Sequence, residues 1–235
     1  MNLLIIDTAT EACSVALLVN GQRYQQFDIC PQQHSQRILP MIDGLLKEAS
    51  TSLSQLNYLG FGRGPGSFTG VRIATGILQG LALGTGLHVV GVSTMAAMAQ
   101  QAIDLHQADE VYCAIDARMG EVYFAHYQAI GGLATLVNEE QVLPPEEAAE
   151  ILLNNQSEQA AYGVGTGWAA YDALLAPLNE QQRPHILKDI LYPDAQFMLA
   201  LVEDGVQKGQ AKEIEQIEPV YLRDKVTWKK LPGRE

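Results

Sequence analysis

The sequence predicts an α/β protein built as two successive halves. Short apolar runs of strand length alternate with longer segments of helical period, the pattern of mixed sheets covered by helices. The order three strands, helix, strand, helix, strand, helix runs to Ile103 and begins again after a polar joint at Asp104 to Asp109. With 235 residues, 47% hydrophobic and 18% charged, the chain can form one large domain or two small lobes around a substantial core.

Leu3 to Ile6 reads as a first strand and Ser14 to Val19 as a second. Asn20-Gly21 is a strong hairpin signal before a third strand at Gln22 to Asp28. Beyond Pro31, Ile38, Ile42, Leu45 and Ala49 mark one face of a helix, with Leu39 and Leu46 beside it. A polar loop, Ser50 to Ser54, leads to a strand at Tyr58 to Phe61 and a glycine turn. A helix from Ser67 to about Leu83, a strand at His88 to Val92 and a helix at Thr94 to Ile103 follow. The second half offers strands at Val111 to Ile115, Val122 to Gln128 and, past Gly131-Gly132, Ala134 to Val137. Pro144 and Pro145 open a helix over Glu146 to Leu153, with acidic residues in its first turn where the helix dipole favours them. A strand at Ala160 to Val164 and helices at Trp168 to Leu175 and Asp194 to Gln207 complete it. The expected division is an N-terminal lobe at 1–106, a C-terminal lobe at 107–222 and a basic polar tail at 223–235, for which disorder is the ordinary state.

The net charge is −12, which opposes binding to phosphate backbones. The balance is uneven: Arg223 to Glu235 holds five basic and two acidic residues, leaving 10 basic and 25 acidic in the rest. Cys13, Cys30 and Cys113 are odd in number and widely spaced, and read as buried thiols in a reducing, cytoplasmic compartment. The apolar run Leu3 to Ile6 stops at Asp7, so no secretory leader is expected. The 31 residues from Ile73 to Ile103 lack Asp, Glu, Lys and Arg, yet Gly76, Gln79, Gly80, Gly84, Gly86, His88 and Gly91 interrupt them. A helix, a turn and a buried strand are expected there, not a membrane span.

Nine of the 21 glycines lie between Gly62 and Gly91, most densely in Gly62-Arg63-Gly64-Pro65-Gly66-Ser67-Phe68-Thr69-Gly70-Val71-Arg72. A glycine turn between strand and helix suits an anion at the helix N-terminus or a close approach by another backbone. Ser67 is the expected N-cap. No Gly-Lys-Ser/Thr follows, so this is not a P-loop. Gly76, Gly80 and Gly84 recur every four residues along the following helix, each costing about 1 kcal/mol relative to alanine. Such a ridge admits a close neighbour, either from the same lobe or from another chain.

The glycine string closely resembles the Gly-x-Gly-Pro-Gly-Ser-Phe-Thr-Gly-x-Arg signature of the bacterial TsaB (YeaZ) family. Two further blocks agree: Ile5-Ile6-Asp7-Thr8-Ala9-Thr10 with Cys13 to Leu17, and Ile115-Asp116-Ala117-Arg118-Met119-Gly120-Glu121-Val122-Tyr123. The resemblance is specific over the first half and weaker past about Tyr127. It implies the two-lobed actin-like ATPase, sugar kinase and heat-shock chaperone superfamily fold, with duplicated RNase H-like lobes. It implies a non-catalytic scaffold or activating subunit that works with the catalytic subunit TsaD and the ATPase TsaE. That machinery makes threonylcarbamoyladenosine in tRNA, with the tRNA held by a partner. The first lobe's two helices would dock partners through Ile38, Ile42, Leu45, Arg72, Gly76, Gly80 and Gly84, and would pair two copies of the chain when it is alone. No cofactor of its own is expected; ATP or ADP would sit at a partner interface.

In nucleotide-binding members of this fold the turn after the first strand faces phosphate. Here that turn carries Asp7, Thr8, Thr10 and Glu11, and Asp116 and Arg118 lie at the matching place in the second half. With Gly64, Gly66 and Ser67 they form the candidate phosphate turns. The catalytic paralogue carries Asn-His-x-x-x-His, whose histidines hold a metal; Thr94 and Met98 stand at those places, a poor donor pair. Among His34, His88, His106, His126 and His185 no pair has helical spacing, and His34 reads as a polar residue at a helix start. Gly-x-Ser-x-Gly is absent, so no catalytic residue and no metal ligand is assigned. Gly163, Gly165 and Gly167 are read as tight packing. The competing readings are a stand-alone ATP-dependent small-molecule kinase of the same fold and an inactive peptidase-like protein.

Overall fold

The structure, a computed structural model, describes residues 1–155 and 160–223. The first sheet is built from β1 (Leu3–Asp7), β2 (Ala12–Val19), β3 (Gln22–Ile29), β4 (Tyr58–Gly62) and β5 (His88–Val92), in the order β3-β2-β1-β4-β5. β1, β2 and β3 form an antiparallel meander, and β4 and β5 extend it in parallel from β1. The second sheet uses β6 (Glu110–Arg118), β7 (Glu121–Ile130), β8 (Leu133–Leu136), β10 (Ala161–Val164) and β11 (His185–Ile186), in the order β11-β10-β6-β7-β8. This is the same topology repeated: a three-stranded meander with two parallel strands beside its first strand. β9 (Gln141–Leu143) pairs with β7.

Local chemistry explains most elements. Asn20 and Gly21 both have positive φ (50° and 79°), the twist a two-residue hairpin needs. α1 (His34–Glu48) turns Ile38, Met41, Ile42 and Leu45 onto the first sheet. α2 (Phe68–Thr85) starts at Ser67, whose hydroxyl accepts the Gly70 N–H, and stops at left-handed Gly86. α3 (Thr94–His106) is capped by Ser93, which accepts from the Met95 and Ala96 N–H groups. α4 (Pro145–Asn154) carries Glu146 and Glu147 in its first turn.

The two lobes exchange helices. α3, which follows the first sheet in the chain, packs Met95, Met98, Ala99, Ala102 and Ile103 into the core of the second. α6 (Met198–Gln207) returns to the first sheet, where Met198, Leu199 and Val202 pack against Leu3, Ile5, Ala16 and Val90. Helices thus cover both faces of the first sheet at its centre, which is why β1 and β2 are buried throughout and, Asp7 and Ser14 apart, apolar instead of alternating.

Two expected helices are corrected, and two strands are new. The helix expected over Trp168 to Leu175 is one α turn, α5 (Gly167–Ala170), followed by a 3-10 turn at Asp172–Leu174. Asp194 caps a 3-10 turn at Ala195–Phe197 before α6 begins. β9 and β11 were not expected. All three cysteines are buried and free. No helix among the described residues is long and apolar enough to cross a membrane. Of the expected tail only Arg223 is described; Trp228, Lys229, Lys230 and Arg234 lie outside the described residues.

Candidate functional site

One β-turn from each lobe lines a shared cleft. A cavity of about 690 Å³ opens between the lobes. Ala9, Thr10 and Glu11 line it from the first turn, and Asp116, Ala117 and Arg118 from the second. Gly66, Ser67 and Phe68 form a third wall, and Tyr123, Tyr221 and Arg223 close its rim.

The glycine string is shaped by contact between backbones. Ser67 N–H donates to Ala9 O at 2.7 Å, and Thr8 Oγ1 donates to Gly70 O at 2.7 Å. A Cβ on Gly66 would lie 2.3 Å from Ala9 O, and one on Gly70 would lie 2.1 Å from Thr8 O. Of the two uses the sequence left open for this loop, close backbone approach is the one seen at Gly66 and Gly70. Gly64 also packs away from the cavity: its φ is 98°, and a Cβ there would meet Val220 O at 2.8 Å.

Asp7 and Thr8 are a correction. Neither faces the cavity; both are fully buried beneath the turn. Asp7 Oδ1 accepts the Ala9 N–H at 3.0 Å, while Oδ2 has no hydrogen-bond partner. Gly62 leaves the space that the carboxyl occupies, since a Cβ there would sit 1.6 Å from Asp7 Oδ2. Burial pushes the Asp7 carboxyl up to about 7; the Ala9 N–H opposes the shift and Asp194 adds to it. Asp7 is therefore poorly placed to face a phosphate.

Arg118 spans the cavity mouth. Its Nη2 lies 3.1 Å from Glu11 Oε1 of the opposite lobe, and its Nη1 lies 3.0 Å from Asp116 Oδ2. Asp116 Oδ1 accepts from the Arg118 N–H and the Tyr171 hydroxyl, both at 2.8 Å. Arg223 pairs with Glu121 on the rim. Deeper between the lobes, Arg63 Nη2 lies 3.4 Å from Glu140 Oε2, and the Tyr127 hydroxyl donates to Glu140 Oε1 at 2.7 Å.

A second surface lies on the outer side of α2. Gly76, Gly80 and Gly84 are exposed, and a Cβ on any of them would meet nothing within 4 Å. The ridge therefore faces away from its own lobe. Leu83 beside it is 71% exposed, and Phe68 at the head of the helix is 56% exposed. The Arg72 guanidinium lies 3.6 Å from the Phe68 ring centroid, and Arg72 Nε donates to the Tyr221 hydroxyl at 2.9 Å. Ile38, Ile42 and Leu45, expected at a partner surface, are instead buried in the first lobe's own core. An amphipathic stripe shows that a face is covered, not by what, and here the first sheet covers it. The residues that sequence reasoning missed are Phe68, Tyr221, Arg223, Arg63 and Glu140. Phe68 alone carried a local signal, as an aromatic at the first exposed position of a helix.

Thr94 and Met98 are wholly buried, and Met98 packs in the second lobe's core. Gly163, Gly165 and Gly167 are tight-packing positions: a Cβ on each would come within 3 Å of Ile186, or of the Ala114 carbonyl for the last two. Among the described residues no group of three or more His, Cys, Asp or Glu is placed to hold a metal ion.

Fold and cleft together define a two-lobed α/β protein of repeated topology, with one β-turn of each lobe lining a shared interlobe cavity. A family profile described as TsaD, tRNA N6-adenosine threonylcarbamoyltransferase, matches residues 28–231. The chain is 48% identical, over all of both chains, to the tRNA threonylcarbamoyladenosine biosynthesis protein TsaB of Escherichia coli (strain K12). It is 46% identical to the TsaB of Haemophilus influenzae, over 100% of this chain and 99% of the relative. The solved structure of YeaZ from Pseudomonas aeruginosa superposes with a TM-score of 0.84 at 42% identity, covering 94% of this chain and 99% of that one. The chain belongs to the TsaB (YeaZ) family.

Proposed function

We propose that this chain is a non-catalytic scaffold or activating subunit in the synthesis of threonylcarbamoyladenosine in tRNA. The two TsaB relatives are named for that pathway, and the matching family profile describes the transferase itself. On this reading the chain is cytoplasmic, docks a TsaD-like catalytic subunit, works beside a TsaE-like ATPase, and meets tRNA only through the assembly. Its own charge of −12 fits that indirect role. A nucleotide, where present, would belong to a partner interface.

The observation that carries the proposal is the outer face of α2. Three glycines inside one helix cost about 1 kcal/mol each, and nothing within the lobe recovers that cost. A flat ridge flanked by exposed Leu83 and Phe68 supplies close helix contact with another chain. The same face would pair two copies when the chain is alone. The test is Gly80→Leu. Leucine has the better helix propensity and open space to enter, so melting should be unchanged or slightly higher. Self-association on size-exclusion chromatography and co-purification with the TsaD-like partner should both be lost. A variant that still dimerises and binds the partner would remove α2 from the interface.

A further inference from the structure

We infer that the end of the second sheet remote from the interlobe cavity binds a small α-amino acid, with Glu110 receiving its ammonium group and Arg183 its carboxylate. The inference concerns the chain alone and does not rest on the partner reading.

β6 runs from Glu110 to Arg118, so its first residue lies about 26 Å from the end that lines the interlobe cavity. There a separate cavity of about 520 Å³ opens, within the range of small-molecule sites. Glu110 and Tyr112, two residues apart on one face of β6, line it. Leu152 of α4, Asn155 at the end of that helix and Ala161 of β10 stand around them.

The observation that points to a ligand is the Glu110 side chain, which is fully buried. Taking a carboxylate out of water is costly unless its oxygens find partners. Three groups gather at Oε1: Asn155 Nδ2 at 2.6 Å, His126 Nε2 at 2.7 Å and the Tyr112 hydroxyl at 3.5 Å. Oε2 has no hydrogen-bond partner. Nor does His126 neutralise the charge. Burial pushes its imidazole below the ordinary value, against the pull of Glu110, so the ring is uncharged at neutral pH. Its stacking on Tyr112, with ring centroids 4.3 Å apart, holds it in place. A buried negative charge with an open acceptor calls for a cationic donor. A primary ammonium supplies both the charge and the N–H groups.

Arg183 sets the other end of the ligand. It is exposed on the cavity wall, its Nε donates to Leu178 O at 3.2 Å, and it pairs with no carboxylate among the described residues. A plain amine would meet this guanidinium unopposed, and a plain carboxylate would meet Glu110. A molecule carrying both groups is matched by both residues, and Leu152 and Ala161 add apolar wall for a short side chain.

The test is NMR titration of the chain with L-leucine and with two molecules that each lack one of its charged groups, 3-methylbutylamine and 4-methylpentanoate. Leucine should bind in the millimolar range, the amine at least about tenfold more weakly, as expected for one lost charged contact, and the carboxylate not measurably. Glu110→Gln keeps the side chain's size and should abolish leucine binding. Arg183→Gln, at an exposed position, should bring leucine down to the level of the amine and leave the amine unchanged. The proposal is overturned if leucine moves no resonance up to its solubility limit, if either half-molecule binds as well as leucine, or if either variant binds leucine as the unaltered chain does. Should Glu110→Gln fold poorly, the unaltered chain decides. Bound leucine should shift the Glu110 and Tyr112 side-chain resonances and leave those of Glu11 and Arg118, at the interlobe cavity, in place. The reverse pattern would remove the site from this end of the sheet.

Discussion

Asp7 ends β1 with one carboxyl oxygen on the Ala9 N–H and the other unpartnered over Gly62. Its value of about 7 lies above the ordinary 3.8, so between those values the folded chain holds a proton that the unfolded chain has released. Stability must then fall as pH rises from about 4 to about 7 and level off above. Asparagine keeps the acceptor for Ala9 and cannot ionise. Asp7→Asn should flatten this part of the profile and stabilise the protein at pH 8 by on the order of a few kcal/mol. Thermal melts of both proteins from pH 4.5 to 8 check this. Parallel profiles would mean that Asp7 is ionised in the fold and paired with something else.

At the scale of the element, the glycines of the loop and those of α2 do opposite things. Gly66 touches the Ala9 carbonyl, and its neighbour Ser67 bonds to the same oxygen, so a methyl group at Gly66 forces the loop off the first turn. Gly66→Ala should destabilise by about 1–3 kcal/mol through overpacking. Gly76→Ala enters open space and should stabilise by up to about 1 kcal/mol. Urea unfolding of the two single variants tests the contrast, and equal effects would contradict it. The sequence contains both strings but does not say which glycines meet backbone. It shows the cap at Ser67 and the turn at Asn20-Gly21 because those signals are local. It does not show the Arg72–Tyr221 and Glu11–Arg118 contacts, which join residues 149 and 107 positions apart. Nor does it show β9 and β11, strands of three and two residues that exist through pairing with β7 and β10.

At the scale of the whole molecule, the repeated topology is legible in the order of elements, while the exchange of α3 and α6 between lobes is not. That exchange bears on chemistry. α3 carries Thr94 and Met98, the positions that the resemblance sets against a metal-binding histidine pair in a paralogue, and it is drawn into the second lobe's core. Thr94 and Met98 are buried there, away from the cavity lining. A thioether and a buried hydroxyl give a divalent cation little to bind, and Asp7 is sealed beneath its turn. The isolated chain should therefore turn over ATP negligibly in the presence of magnesium, and chelator should leave its melting temperature unchanged. Steady-state hydrolysis by a coupled assay and melting with and without chelator measure both. Robust turnover that Asp7→Ala abolishes would favour a kinase-like enzyme over the scaffold. A chelator-induced drop in melting temperature would show that side chains from both lobes assemble a metal site in solution.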